Sequence, residues 1–351
     1  MSLGKTSYLI YVDRRFFLSA KNFLTYKQQI QRMKKKNVLI SDDNFAKEIL
    51  NSISYYSIMN GYKDIFETYY DEEDNIEKFT SKITLEDLHK VYIIDNALNN
   101  LLFKYIIYIE NTLKTKIAYN VAMRFGEKQE DYLDFRKYVS SEPLDRKNVI
   151  NKVLDELNYN KNNHSVQHYK NNHSFTPPWI AVKALYFGTT LNWYKVLPMA
   201  IKEDISKEYF RYSLIQDKEE QKEFILVVLN LLHEYRNNIA HGSRTFLSNV
   251  SCELSKNLLL KAVTTDVLTE KEFLNGFGKK DLFAVIVSIA ILINDPAIFR
   301  QYLVDLATIT FGYNDSSLPL SPKGNIYQTL NIPEDYVEKI TTLYNIKFTT
   351  N

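Results

Sequence analysis

The chain has 351 residues, 45% of them hydrophobic, which is enough to bury the core of one large domain or two modest ones. Its 9 glycines and 8 prolines are too few for the many turns of an all-β or doubly wound fold, so the composition favours an all-α protein. The formal net charge of +2 excludes nucleic-acid binding through bulk charge and requires a local basic patch for any such partner.

The cysteine content and the hydropathy of the chain indicate the cellular compartment in which we expect the protein. The single cysteine, Cys252, can form neither an internal disulfide nor a cysteine-based zinc site, which favours a reducing interior. The N-terminus carries no recognisable secretory signal. The longest apolar run, residues 282–293, is about half of what a bilayer requires and includes Ser288. We therefore expect a cytoplasmic protein that does not contact a membrane.

The first clear helix opens at Thr25, where the pattern Thr25-x-x-Gln28 is a capping box. The helix runs into a basic end formed by Lys34, Lys35 and Lys36. These lysines could hold RNA phosphates, or they could form a solvated helix end whose charge complements the helix dipole. A second helix should follow and end near residue 53.

A long helical region is predicted next. Residues 84–87 form another capping pattern, and the region should end at Gly126. Apolar residues recur along it at intervals of three or four, so one face should be buried. The asparagine pair at 99–100 is a point at which the helix could be interrupted. Lys114 and Lys116 lie away from the apolar stripe and are candidate RNA contacts.

Residues 128–175 are polar and contain a histidine pair with the spacing of helical metal ligands. His164 and His168 are four positions apart, and His173 follows. However, the surrounding asparagines predict a loop, and Ser165 stands where a zinc-protease motif has glutamate. We therefore predict no metal site here.

A proline pair predicts the next helix. Thr176 followed by Pro177 is a favourable helix start, and the helix should end near Gly188. Trp179 is expected to be a packing anchor in the core.

The most apolar helical run of the second half spans about residues 219–240 and carries polar residues at its tip. They are Arg236, Asn237, His241 and, after Gly242, Arg244. Arginine holds phosphate through a fork of donors, and histidine titrates near neutrality, so this set suits phosphodiester chemistry. The alternative interpretation is that these polar residues only make the exposed helix end soluble.

The spacing within this tip restricts its geometry. Arg236 and His241 are five positions apart and therefore about 140° apart around an ideal helix. They do not share a face, and the long arginine would have to reach across. Gly242 is expected to end the helix in a left-handed cap.

Four further helices are predicted near residues 253–262, 280–294, 296–310 and 333–344. The chain contains neither a phosphate-binding glycine loop nor a Ser/His/Asp signature. We therefore expect no cofactor.

The string from Arg236 to His241 resembles the R-x4-6-H motif of the HEPN superfamily, whose members are helical and often metal-independent ribonucleases. Further stretches resemble the Abi-like abortive-infection proteins of bacteria, the AbiD and AbiF group. These are Leu24-Thr25-Tyr26-Lys27-Gln28-Gln29-Ile30 with Tyr55-Tyr56 and Gly61-Tyr62, residues 109–119, and Pro177-Pro178-Trp179 leading to Phe187-Gly188-Thr189. The Abi-like pattern has an arginine-bearing stretch where this chain reads Ile94-Asp95-Asn96-Ala97-Leu98-Asn99-Asn100.

The resemblance implies an all-α HEPN-type helical bundle with additional helices at both ends. An N-terminal helical region would cover residues 1–80, the HEPN-like core 81–262 and a C-terminal helical extension 263–351. It also implies phage defence by growth arrest, with a structured RNA as a plausible regulator.

The same resemblance assigns roles to the tip residues. His241 would act as general acid or base, Arg236 would hold the phosphate, and Asn237 would orient the histidine or bond a phosphate oxygen. Arg244 would be a second phosphate contact. The products would be a 2′,3′-cyclic phosphate and a 5′-hydroxyl.

One chain carries a single copy of this motif, although cleavage needs one group to accept a proton and another to donate one. A homodimer that brings two motif tips together would supply both. Two alternatives remain open at this point. One is a non-catalytic RNA-binding scaffold; the other is the toxin of a HEPN–nucleotidyltransferase pair, for which Ser243 stands where a tyrosine is needed.

Overall fold

The computed structural model describes residues 22–159, 163–242, 244–245, 250–313 and 319–349. It confirms the all-α class. Ser243 lies outside the described residues. The helices are α1 Tyr26–Lys35, α2 Asp43–Ser52, α3 Tyr55–Asn60, α4 Lys63–Phe66, α5 Leu85–Phe125, α6 Gln129–Tyr132, α7 Arg146–Tyr159, α8 His164–Asn172, α9 Pro178–Ala181, α10 Phe187–Val196, α11 Met199–Tyr209, α12 Lys218–Ala240, α13 Lys256–Val263, α14 Glu270–Leu274, α15 Leu282–Leu292, α16 Pro296–Thr310, α17 Ile326–Leu330 and α18 Tyr336–Phe348.

Short 3-10 helices add Phe135–Lys137 and Val182–Ala184. The strands are β1 Val38–Leu39, β2 Thr68–Asp71, β3 Ile76–Phe79 and β4 Ile83–Thr84. Strands β2 and β3 form an antiparallel hairpin with Thr68 opposite Phe79, while β1 pairs in parallel with β4. Among the described residues, these strands lie between residues 38 and 84.

Helix α5 is the longest element, and eight of the other α-helices pack against it, among them α9, α12 and α16. It starts as predicted: Thr84 accepts a hydrogen bond from the Asp87 amide at 3.0 Å, and the Asp87 carboxylate accepts one from the Thr84 amide at 3.1 Å. The interruption considered at residues 99–100 does not occur. Leu98 and Leu102 on either side are buried, and this tertiary packing outweighs the weak helix propensity of asparagine.

Two hydrophobic clusters meet on α5. The smaller extends from Ile30 to Val91 and includes α1 to α4 and the first turns of α5. The larger extends from Ile94 to Leu343 and contains the rest of α5 together with the C-terminal helices. The C-terminal helices therefore share the main core and have no separate core of their own among the described residues.

The asparagine-rich stretch expected to be a loop is helix α8. Asn163 caps it by accepting a hydrogen bond from the Val166 amide at 3.2 Å, and Val166 is fully buried. The prediction was wrong because asparagine favours a helix start as well as a turn, and only the burial of Val166 decides between the two.

The proline-led helix is shorter than predicted. Helix α9 covers a single turn, and after a 3-10 segment a new helix, α10, begins at Phe187, so Gly188 lies in a first turn instead of at a helix end. Glu156 stabilises this start by accepting hydrogen bonds from the Tyr186 amide at 2.9 Å and the Thr189 hydroxyl at 2.6 Å. A buried carboxylate at a helix N-terminus satisfies donors that would otherwise have no partner.

Trp179 is not the core anchor that the sequence suggested. It is 46% exposed and lines a surface groove of about 590 Å³ together with Tyr119 and Met123. The fully buried tryptophan is Trp193 on α10.

Helix α15 is the most deeply buried helix of the chain, with all of its residues in the core. In the described residues, no helix is both long and apolar enough to cross a membrane.

The N-cap of α15 is Asp281, whose carboxylate accepts hydrogen bonds from the amides of Ala284 and Gly278, both at 2.9 Å. Burial raises the pKa of Asp281 to about 6, even though these hydrogen bonds oppose the shift.

We predict that Asp281→Asn stabilises the protein more at pH 7 than at pH 4. The folded pKa of Asp281 lies above the unfolded value, so the stability linked to its protonated form is lost as pH rises from about 4 to about 6. Asparagine keeps the cap without the buried charge, and the advantage at pH 7 should be about 1–3 kcal/mol. Urea unfolding of both proteins at several pH values measures it.

The matched control is Asp295→Asn, which changes the exposed N-cap of α16 in the same way. This control should show no comparable dependence on pH. A difference between Asp281→Asn and the original protein that is the same at pH 4 and pH 7 would contradict the prediction.

Candidate active site

The predicted motif helix is α12. Asp217 caps its start, and Val228, Leu232 and Tyr235 are among the residues that bury its apolar face. The helix ends at Ala240, and the end takes the predicted form: Gly242 has φ +75° and its amide donates to the Ile239 carbonyl at 3.0 Å. The motif therefore occupies the C-terminal tip of a rigid, core-packed helix.

The three predicted active-site residues differ in exposure along this tip. His241 is exposed at the C-cap, and its amide donates to the Asn237 carbonyl at 3.0 Å. Arg236 and Asn237 are half-buried. The imidazole can thus meet a ligand from solvent, whereas the arginine and the amide are held by the protein.

The Arg236 guanidinium lies 5.9 Å from the ring centroid of Phe103 on α5. Its Nη1 donates to the Asn237 side-chain oxygen at 3.4 Å. Its Nε is buried and has no hydrogen-bond partner among the described residues. Burial of this donor leaves part of the hydrogen-bonding capacity of the guanidinium unused.

Asn237 contacts a histidine, but the histidine is His233, one turn earlier in the helix. The distance from Asn237 Nδ2 to His233 Nε2 is 3.1 Å. The sequence assigns His233 no role, because the motif pairs Arg236 with the histidine that follows it, His241. The usable signal was the four-residue step from His233 to Asn237, which places both side chains on one helix face.

His233 is packed from a second helix. Its ring meets the edge of Phe187 with centroids 5.3 Å apart. A Cβ added at Gly188 would lie 3.1 Å from His233 Nε2, so glycine leaves the space that the imidazole occupies. Burial lowers the pKa of His233, and the nearby charges of Arg236 and Lys195 lower it further.

Lys114 and Lys116, predicted as RNA contacts, both pair with carboxylates of the same chain. Lys114 is 9% exposed, pairs with Glu110 at 2.6 Å and donates to the Leu185 carbonyl at 2.6 Å. Lys116 forms an ion pair with Glu208. The ammonium group of Lys114 is buried and paired in this arrangement, and its contact with RNA stays a prediction.

Arg244 is likewise held by an internal contact. Its Nη2 donates to the Ser57 carbonyl at 2.6 Å, and its guanidinium lies 4.9 Å from the Tyr62 ring centroid. A Cβ at Gly61 would overlap the guanidinium, so only glycine permits this approach. The structure shows Arg244 as an anchor between the motif and α3, and its contact with a phosphate stays a prediction.

Thr245 makes further contacts in the same region. We call the contacts of Arg244 and Thr245 with Ser57, Asp95 and Asn99 the Arg244 junction. The Thr245 amide donates to Asp95 Oδ1 at 2.9 Å, and the Thr245 hydroxyl bonds the side chain of Asn99. Asp95 also accepts from the Tyr62 hydroxyl at 3.3 Å. Residues 94–100 of α5, where the Abi-like pattern has an arginine, therefore bind Thr245, which follows the motif.

Lys34, Lys35 and Lys36 lie at the end of α1. Lys34 and Lys35 are exposed, and Lys34 pairs with Asp43 at 2.7 Å. Lys36 is half-buried. The first two remain accessible to a ligand, since an exposed ion pair is weak.

The histidine cluster for which the sequence predicts no metal site lies on α8 and at its C-cap. His164 and His168 stack with centroids 6.5 Å apart, and His168 lies 6.0 Å from His173. Within the part of the chain that the structure describes, no group of three or more His, Cys, Asp or Glu side chains could hold a metal ion.

Residues 48–247 match the family of Abi-like proteins, and this range is more than half of the chain. The chain belongs to the Abi-like protein family. Membership points to abortive infection, a form of phage defence. Comparison with curated proteins and with solved structures finds no match to this chain. The matched range includes both sides of the Arg244 junction and the whole of α12, but not the lysines of α1.

We predict that Arg244→Met loosens the junction of this Abi-like chain. The substitution removes a charged hydrogen bond to the Ser57 carbonyl and should lower the free energy of unfolding by about 1–3 kcal/mol. Hydrogen exchange should also become faster in residues 55–62. Urea unfolding and exchange mass spectrometry measure the two effects.

Arg124→Met is the matched control, because Arg124 forms an exposed ion pair with Asp204 on the same protein. It should cost at most about 1 kcal/mol and leave exchange in residues 55–62 unchanged. Equal effects of the two substitutions would contradict an anchoring role for Arg244.

Proposed function

We propose that this Abi-like protein is a HEPN-type endoribonuclease that cleaves RNA without a metal and acts in abortive infection. The observation that carries the proposal is the placement of Arg236, Asn237 and His241 at the tip of α12, where a core-packed helix carries a half-buried arginine and, five positions later, an exposed histidine. Rigid elements give catalytic groups the positional accuracy that a loop does not.

The chemistry requires little more than these groups. The ribose 2′-oxygen attacks the adjacent phosphorus and loses its proton, and the bond to the 5′-oxygen breaks as that oxygen gains a proton. The products are a 2′,3′-cyclic phosphate and a 5′-hydroxyl. His241 transfers one of the two protons, and Arg236 offsets the negative charge that builds up on the phosphate oxygens.

The second proton-transfer group is assigned to a second copy of the chain. His233, the nearest histidine along the helix, is half-buried and its Nε2 is engaged by Asn237. A two-fold dimer whose interface includes residues around 233–244 would bring both His241 imidazoles to one phosphate.

RNA is held in this proposal by the exposed Lys34 and Lys35 and by Arg236. A structured RNA bound to these residues would keep the nuclease inactive until phage infection removes it.

A non-catalytic RNA-binding scaffold is the second candidate. The observation in its favour is that Lys114, Lys116 and Arg244 are used for internal contacts, which leaves fewer cations beside the motif to hold a substrate phosphate. A scaffold would bind RNA, and loss of His241 would change nothing.

We predict that His241→Ala lowers RNA cleavage by about 10²- to 10⁴-fold, because a proton-transfer group is lost. Folding and RNA affinity should stay close to those of the original protein, since His241 is exposed. Cleavage of labelled RNA in the presence of EDTA, with analysis of the product ends, measures the effect.

His173→Ala is the matched control, because His173 is also an exposed histidine at a helix C-cap. It should cleave normally. A mixture of Arg236→Ala and His241→Ala chains should regain part of the activity if the site is shared between two copies. Cleavage that survives His241→Ala, or that requires a divalent ion, would overturn the nuclease proposal.

We further predict that Lys34→Ala combined with Lys35→Ala weakens RNA binding and reduces its salt dependence. Each phosphate contact that is lost should reduce the slope of log affinity against log salt by about 0.7–0.9. Lys47→Ala combined with Lys90→Ala removes two exposed lysines of the same region as a control. Equal weakening by both pairs would mean that general charge, not the end of α1, attracts the RNA.

A further inference from the structure

The side chains of His233, Asn237 and Arg236 form a chain of hydrogen bonds whose directions can be assigned. Arg236 Nη1 can only donate, so the atom of Asn237 that faces it at 3.4 Å is the side-chain oxygen. The Asn237 amide nitrogen therefore faces His233, at 3.1 Å from Nε2. Because an amide nitrogen can only donate, His233 Nε2 must be an unprotonated acceptor. The arrangement requires a neutral imidazole with its proton on Nδ1.

The surroundings of the ring favour this neutral form. The imidazole is half-buried against Phe187, and Gly188 leaves space for Nε2. The charged groups that face it are Arg236 on its own helix, Lys195 on α10, Glu110 on α5 and the neighbouring Glu234. Burial and the two cations outweigh the two carboxylates, so the pKa of His233 is lowered.

We propose that His233 is a positioning residue that holds Asn237, and through it the guanidinium of Arg236, and that protonation of His233 releases both. The consequence for catalysis rests on the proposed function, but the hydrogen-bond chain itself does not. When His233 gains a proton on Nε2, it can no longer accept from Asn237. A second cation is then also present beside Arg236, and the guanidinium loses the amide that fixes it.

This arrangement makes phosphate binding by Arg236 dependent on pH. The arginine is fully positioned only above the pKa of His233. In mildly acidic conditions the charge of Arg236 persists, but its orientation does not. Positional errors of about 1 Å at a reacting centre can reduce a rate by about 10²-fold.

Two amide substitutions separate positioning from packing. His233→Gln places a terminal amide near the position of Nε2 and can accept from Asn237 without titrating. His233→Asn places the same group one bond shorter, near the position of Nδ1, and cannot reach. We expect His233→Gln to cleave RNA at close to the original rate and His233→Asn to lose about 10²-fold. The ratio of the original rate to that of His233→Gln should fall as pH is lowered, because only the original protein loses the contact.

An NMR experiment tests the hydrogen-bond chain without reference to RNA. The protein is labelled with ¹⁵N in its six histidines. The His233 signals are identified by their absence in His233→Gln. At neutral pH, Nδ1 should be protonated and Nε2 unprotonated, and the midpoint of the His233 titration should lie below the ordinary value for histidine. Gly188→Ala, which crowds Nε2, should shift these signals.

The outcomes are distinct. A proton on Nε2 at neutral pH, or equal activity of the Gln and Asn variants, would overturn the positioning role. If the original protein cleaves no RNA, the nuclease proposal fails and the NMR result alone decides whether the hydrogen-bond chain exists.

Discussion

The fold depends on the burial of one face of α5, from Leu85 to Val121. Its first turns complete the N-terminal cluster, and the remainder is the centre of the main core, so one helix belongs to two hydrophobic clusters. Helix α12 packs on this same helix, and the ring of Phe103 on α5 lies beside Arg236. The candidate active site is thus built on the same helix that joins the two hydrophobic clusters.

The sequence predicted the fold where local signals and burial agree. Capping boxes at Thr25 and Thr84 gave correct starts for α1 and α5, and the left-handed cap at Gly242 gave the correct end for α12. Helix α8 and the start of α10 were misjudged, because a buried valine and the distant carboxylate of Glu156 determine them. Such partners are far away in sequence and leave no local pattern.

The candidate site was predictable in its residue types but not in its partners. From the sequence alone, any lysine or arginine could bind a phosphate. In the structure, however, Lys114 pairs with Glu110, and Arg244 donates to the Ser57 carbonyl. The same limit hid His233, whose role depends on its bond to Asn237 and on the space beside Gly188. Whether a cation is free is a property of tertiary structure, because its pairing partner is usually on another element.

The junction at Thr245 has an entropic consequence for the motif. His241 follows Ala240, the last residue of α12, and its amide donates to the Asn237 carbonyl, while the Thr245 amide is bonded to Asp95 on α5. The backbone of His241 is therefore fixed at the helix end before a ligand arrives. Little conformational entropy then remains to be lost on binding, and a larger part of the contact energy appears as affinity.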